Sequence, residues 1–165
     1  MKKLNVLLIV IFIIFFSSNV FNQVRIAVLP FQNMDGKLTL NIYSYKLQDS
    51  ITKVLLEKDQ GEKYYHVVPL DSIESILSEL NLDPTNPQYP SDVWKAVKRV
   101  NVKYVISGNF NIQAERFLIN AYIYEVETKL PDLDHQARDI FKSEERIFEA
   151  VKIIIKNILP ALIPQ

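Results

Sequence analysis

The sequence predicts an α/β fold: a single domain built on a mixed β-sheet of four to five strands and covered by about four helices. Three observations carry that prediction. The runs Val24-Arg25-Ile26-Ala27-Val28-Leu29-Pro30-Phe31 and Val102-Lys103-Tyr104-Val105-Ile106-Ser107-Gly108 are apolar on both alternating faces and rich in β-branched residues, as central strands covered on both sides are. Between and after them lie segments whose apolar residues recur at spacings of three and four, the helical period. A length of 165 residues, 48% of them hydrophobic, supports one domain with a substantial core and not two.

Taken in order, Val24 to Phe31 is the first strand, and Val102 to Gly108 is expected beside it. Gln32 to Leu38 is a loop turned by Asp35-Gly36. Leu40, Tyr43, Leu47, Ile51, Val54 and Leu55 share one face of a helix running to about Lys58, with Gly61 as its expected stop. Tyr64 to Val68 is a short strand closed by Pro69. Asp71 and Glu74 are placed as a capping box at the start of a second helix, whose buried stripe is Ile73, Ile76, Leu77 and Leu80. Three prolines between Asn81 and Pro90 exclude helix or central strand there. A third helix starts at Ser91 with Val93, Val97 and Val100 inward, and Asn101 ends it in a left-handed conformation.

The strand from Val102 to Ile112 turns at Gln113-Ala114-Glu115-Arg116 into the strand Phe117 to Val126, an antiparallel hairpin. Alternation puts Phe117, Ile119, Ala121 and Ile123 on one face and Leu118, Asn120, Tyr122 and Tyr124 on the other. A weak edge strand is expected within Leu130 to Arg138, since Pro131 forbids a central position. The last helix is expected from about Asp139 to Leu159, with Ile140, Phe141, Ile147, Phe148 and Val151 among its apolar positions, and Pro160 ends it.

The amino terminus reads as an address. Lys2 and Lys3 precede eleven uninterrupted apolar residues, Val6 to Phe16, a signal-peptide core shorter than the ~18 residues that span a bilayer. Residues 1–22 are therefore assigned as signal peptide and 23–165 as the folded domain, which gives a periplasmic or otherwise extracytoplasmic protein. A retained segment would instead anchor the chain in a membrane. Nineteen basic residues balance nineteen acidic ones, which leaves no strong field for nucleic acid. The absence of cysteine excludes disulfides, thiolate metal sites, a cysteine nucleophile and the lipid-bearing cysteine of a bacterial lipoprotein.

Three segments carry a family resemblance. They are Val28-Leu29-Pro30-Phe31 followed by Gln32-Asn33, the V-x-Y-V-x-x-G form of Val102 to Gly108, and the hairpin end Glu125-Val126-Glu127-Thr128-Lys129. Together with Ile140-Phe141 ahead of a closing helix, they resemble the amino-terminal domain of TolB. They also resemble the related modules of curli-secretion-type, flagellar-accessory and penicillin-binding-protein-activator envelope proteins. The resemblance spans Val24 to Leu159. It departs where Leu38 to Tyr43 replaces an acidic, glycine-bearing stretch and where Lys129 replaces glycine. It implies an envelope module that binds another envelope protein.

Reactive chemistry is sparse. The two histidines, His66 and His135, lie in no motif that pairs a base with a nucleophile, and there is no G-x-S-x-G elbow. Gly36, Gly61 and Gly108 are isolated, so no phosphate loop or dinucleotide fingerprint can be assembled. Glu144-Glu145 reads as a helix start, where acids favour the amino-terminal dipole. Asp132, Asp134 and His135 come closest to a ligand cluster, and a metal-dependent enzyme using them is the rival of a different class. Eight tyrosines form a large amphipathic inventory, with Tyr89 and Trp94 beside the proline-rich loop as the expected partner contact. Lys95, Lys98, Arg99 and Lys103 add a local basic patch. The expected function is a non-enzymatic module with no cofactor, docking to another envelope protein. Self-association is left open.

Overall fold

The computed structural model describes residues 23–80 and 88–163. The expected signal segment and most of the proline-rich loop lie outside the described residues. Six strands form one sheet: β1 (Val24–Val28), β2 (Gln32–Asn33), β3 (Tyr65–Val67), β4 (Tyr104–Gln113), β5 (Arg116–Glu125) and β6 (Pro131–Lys142). Their order is β3-β1-β4-β5-β6, with β2 also paired to β4. β1 runs parallel to both β3 and β4, so the two apolar runs are neighbours, with Ile26 opposite Tyr104 and Val28 opposite Ile106. β4, β5 and β6 are antiparallel. Ala114 and Glu115, both at positive φ, make the two-residue turn between β4 and β5.

Helices cover both faces, which is why β1 is apolar on both. Ile26 and Val28 point into a core shared with Leu47, Ile51 and Leu55 of α1 (Asn41–Lys58) and with Ile154 and Ile158 of α4 (Glu149–Ile158). Ala27 and Val105 point the other way, onto Ile73 and Leu77 of α2 (Leu70–Leu80) and Ala96 and Val97 of α3 (Tyr89–Arg99). The result is a three-layer α/β/α arrangement.

Pro30 gives the Val28-Leu29-Pro30-Phe31 segment its shape. The ladder against β4 holds at Leu29, whose N–H reaches the Ile106 carbonyl at 2.9 Å, and then meets a residue with no N–H to offer. The strand slips by one residue there: Val28 pairs with Ile106, yet Gln32 pairs with Asn109. Phe31 turns its N–H to the Ser44 carbonyl of α1 and buries its ring.

Several boundaries differ from expectation. Gln32-Asn33 is strand rather than loop. α1 stops at Asp59 and not at Gly61. The buried Asp59 carboxylate accepts backbone N–H groups from Lys63 (2.9 Å), Tyr64 (2.7 Å) and Tyr65 (3.0 Å), which turns the chain directly into β3. α2 begins at Leu70, so Asp71 lies in its first turn and the capping box does not form; the Pro69 carbonyl accepts from Ser72 instead. α3 begins two residues early because Pro90 fits the first helical turn, where its missing N–H costs nothing.

The largest correction is β6. It continues to Lys142, so Ile140 and Phe141 are strand residues, and the closing helix shrinks to Glu149–Ile158 after a 3₁₀ turn at Glu144–Arg146. An extra residue near Asp139, at φ 57°, separates inward-facing Ala137 and Ile140 by three positions rather than two. That spacing imitates a helix. Phe141 and Phe148, assigned to the apolar helix face, are 40% and 41% exposed.

Candidate functional site

β1 ends ahead of Pro30, and α2 and α3 cover the same face of the sheet. Between them and the strands is an open cleft of about 520 Å³. Crevices beyond the carboxyl ends of parallel strands are where open α/β sheets commonly bind ligands. Leu29, Val105, Ser107 and Gly108 form the floor, with Ile73 and Leu77 on the α2 side and Tyr89, Val93 and Trp94 on the α3 side. Gln32, Tyr45, Glu74, Asn109 and Tyr124 add polar groups.

An aromatic row runs from the helix onto the sheet. Trp94 meets Tyr124 edge-on, with ring centroids 5.9 Å apart and planes at 73°, and Tyr124 lies 5.9 Å from Tyr122. Burial raises the Tyr89 phenol above its ordinary range, helped by Tyr45 and Glu74; burial and then Tyr122 do the same to Tyr124. Both hydroxyls therefore stay protonated well above neutrality and can donate as well as accept hydrogen bonds. Beyond the cleft, the Asn120 amide donates to Asn109 Oδ1 at 3.1 Å, while Asn120 Oδ1 accepts from the Asp139 N–H. This surface can stack on flat groups and exchange hydrogen bonds. Neither histidine borders it, and Glu74 is its one carboxylate among the lining residues.

The structure brings Tyr89 and Trp94 together here, both half-buried. Lys95, Lys98 and Arg99 lie on exposed parts of α3, each beside an acid: Lys95 with Asp92 at 2.7 Å, Lys98 with Glu127 at 2.8 Å and Arg99 with Glu79 at 3.7 Å. Lys103 lies over the Tyr104 ring. Gln32, Glu74, Ser107 and Asn109 are not among the site residues the sequence predicts. Ser107 and Asn109 were within reach, because alternation from Val105 puts both polar groups on one face of a central strand.

His66 is half-buried, its Nδ1 2.8 Å from Glu62 Oε2. Asp132, Asp134 and His135 occupy an irregularity in β6, where Tyr122 pairs with Gln136 but Tyr124 pairs with Pro131. Asp132 Oδ1 accepts the N–H groups of Asp134 and His135, and Oδ2 lies 2.7 Å from His135 Nδ1. The three residues thus form a local turn whose carboxylate is already occupied. Among the described residues, no group of three or more histidine, cysteine, aspartate or glutamate side chains could hold a metal ion, and no helix is long and apolar enough to cross a membrane.

No family model and no curated protein matches the chain. Solved structures do. The C-terminal domain of LpoB from Salmonella enterica matches with a TM-score of 0.55 at 13% identity, over 77% of this chain and 87% of that one. Its counterpart from Escherichia coli gives 0.52 at 14%, over 78% and 88%. Lipoprotein GNA1162 from Neisseria meningitidis gives 0.53 at 13%, over 84% and 99%. The chain has the fold of the LpoB C-terminal domain and of GNA1162, among the envelope modules that its Val28-Leu29-Pro30-Phe31 and Val102 to Gly108 segments resemble.

Proposed function

We propose that this chain is a non-enzymatic, extracytoplasmic protein-binding module of the bacterial cell envelope that docks to another envelope protein. The observation that carries the reading is the cleft beside Pro30, where an aromatic row lies beside amide and hydroxyl groups. Half-buried tyrosine and tryptophan side chains are the residues that dominate binding energy at protein interfaces. The fold supports the class of partner, since LpoB is a penicillin-binding-protein activator. Unlike a lipoprotein, this chain has no cysteine to carry a lipid, so its route to the envelope rests on residues 1–22. The basic groups Lys95, Lys98 and Arg99 form the rim of the proposed contact.

The test is crosslinking in whole cells followed by identification of the captured protein, with the wild type and a Tyr89→Ala/Trp94→Ala variant. Hot-spot truncations cost about 2 kcal/mol or more apiece, so capture of an envelope protein should fall by at least tenfold while circular dichroism stays native. Undiminished capture by a folded double variant would reject this surface.

A further inference from the structure

A second groove lies on the opposite layer, between α1 and α4. Two ridges bound it: Ser50, Val54 and Lys58 along α1, and Phe148, Lys152, Lys156 and Leu159 along and just after α4. Each ridge follows the spacing that stacks side chains along one helix face. Its volume is about 620 Å³, and Val54, Val151, Ile155 and Leu159 make its floor apolar.

The charges on this groove are all of one sign. Lys58, Lys152 and Lys156 are exposed, and none has an ion pair among the described residues, whereas Lys95, Lys98 and Arg99 on α3 each have one. No acid is among the lining residues. Glu149, the only acid of α4, is held by Arg146 at 2.7 Å and Lys142 at 3.0 Å. Asp49 pairs with Lys53 at 2.7 Å. Glu57 is an exposed acid next to the groove, outweighed there by three lysines. Phe148 and Ile153 add exposed apolar surface beside the lysines, at 41% and 38%.

The path of the chain places this groove near Gln23, where the described domain begins. Lys58 leads straight into the Asp59 turn, whose Tyr64 carbonyl accepts the Val24 N–H and whose Glu62 carbonyl accepts the Gln23 side chain. The chain therefore enters the domain at the end of the groove marked by Lys58, Lys156 and Leu159. The preceding residues contain Lys2, Lys3 and the apolar run Val6 to Phe16.

We infer that the α1–α4 groove is a docking surface for an anionic phospholipid membrane, with the three lysines on lipid headgroups and Phe148 and Ile153 at the acyl boundary. Basic side chains over an exposed apolar strip are the composition that holds a helix at a membrane interface. This site is separate from the Tyr89–Trp94 cleft and does not depend on the partner proposed for it.

The test is partitioning of the full-length chain onto vesicles of phosphatidylcholine alone and of phosphatidylcholine mixed with phosphatidylglycerol. The apolar amino-terminal run acts on both vesicle types and cancels in the ratio of the two affinities. A lysine near an anionic surface raises partitioning about fivefold, so Lys58→Gln/Lys152→Gln/Lys156→Gln should lower the ratio about 100-fold. The wild-type ratio should also collapse as salt is raised. Lys95→Gln/Lys98→Gln/Lys103→Gln, on the other layer, should leave it unchanged. A ratio that survives the groove substitutions, falls equally with the control substitutions or ignores salt overturns the proposal.

Discussion

Gly108 lines the cleft floor, and replacing it with alanine tests how the site is built. A Cβ at that position would lie 2.0 Å from the Asn120 carbonyl oxygen and 2.5 and 2.9 Å from Phe31 Cε1 and Cδ1. Ordinary contacts between such atoms need about 3.5 Å. The Phe31 ring can tilt, but the Asn120 oxygen is backbone of β5, fixed to β4 by a register that runs unbroken from Tyr104–Glu125 to Gln113–Arg116. The strands must part by more than about 1 Å to admit the methyl group. Overpacking that side chains can absorb costs about 1–3 kcal/mol; here backbone must yield, so the upper end applies. Against a typical stability of about 5–15 kcal/mol that is a large fraction. At about 2–4 °C per kcal/mol for a domain of this size, Gly108→Ala should lower Tm by about 6–12 °C. Thermal and urea unfolding followed by circular dichroism would measure it. Gly61→Ala, where a Cβ meets nothing within 4 Å, is the control and should shift stability by less than about 1 kcal/mol. Phe31→Leu added to Gly108→Ala should recover only part of the loss, since Asn120 remains in place. A Gly108→Ala protein within about 1 kcal/mol of wild type would refute the close approach.

Three further outcomes follow from single groups. Burial pushes the Asp59 carboxyl up, but backbone donors from Tyr65, Tyr64 and Lys63 and the Lys63 charge outweigh it and hold it below its ordinary 3.8. Its stabilisation is complete above that value and is lost as pH falls through the lower folded one; Asp59→Asn should cost about 2 kcal/mol at neutral pH and flatten the acid slope in urea unfolding. Burial, then Asp59, pushes Tyr65 up to about 12, and its hydroxyl donates to the Leu55 carbonyl at 2.7 Å. The unfolded chain ionises first, so stability should decline by about 2–3 kcal/mol between pH 10 and 12, a decline that Tyr65→Phe removes in alkaline unfolding curves. Calorimetric titration with zinc or calcium should give no saturable heat, because Asp132 is already engaged; a saturable isotherm abolished by Asp132→Asn would restore the metal-enzyme reading.

Central elements were legible from short β-branched runs bounded by turn residues. Ile26 and Val28 face α1 while Ala27 faces α3, which makes the run apolar on both alternating faces. Phe117, Ile119, Ala121 and Ile123 alternate without a break, and all four are buried. β2 was not legible, since two residues paired to β4 carry no period at all. The same holds for the turn at Asp59: nothing local distinguishes a carboxylate that gathers three amides from an exposed one beside a helix end.

Bulges explain the rest, including the ligand-like cluster of β6. A pleated strand announces itself by a period of two, and each extra residue resets the phase. β6 is reset near Asp139 and again between Pro131 and Gln136. The first reset puts Ala137 and Ile140 at helical spacing, so the strand reads as the start of α4. The second puts Asp132, Asp134 and His135 close together in a turn whose amides donate to Asp132, the segment that raised the rival metal reading. Both irregularities fall on β6, which has no further strand beside it among the described residues. The cleft lies on β1 and β4, where register is enforced from both sides, so alternation from Val105 was enough to put Ser107 and Asn109 on one face, a step the sequence expectations do not include.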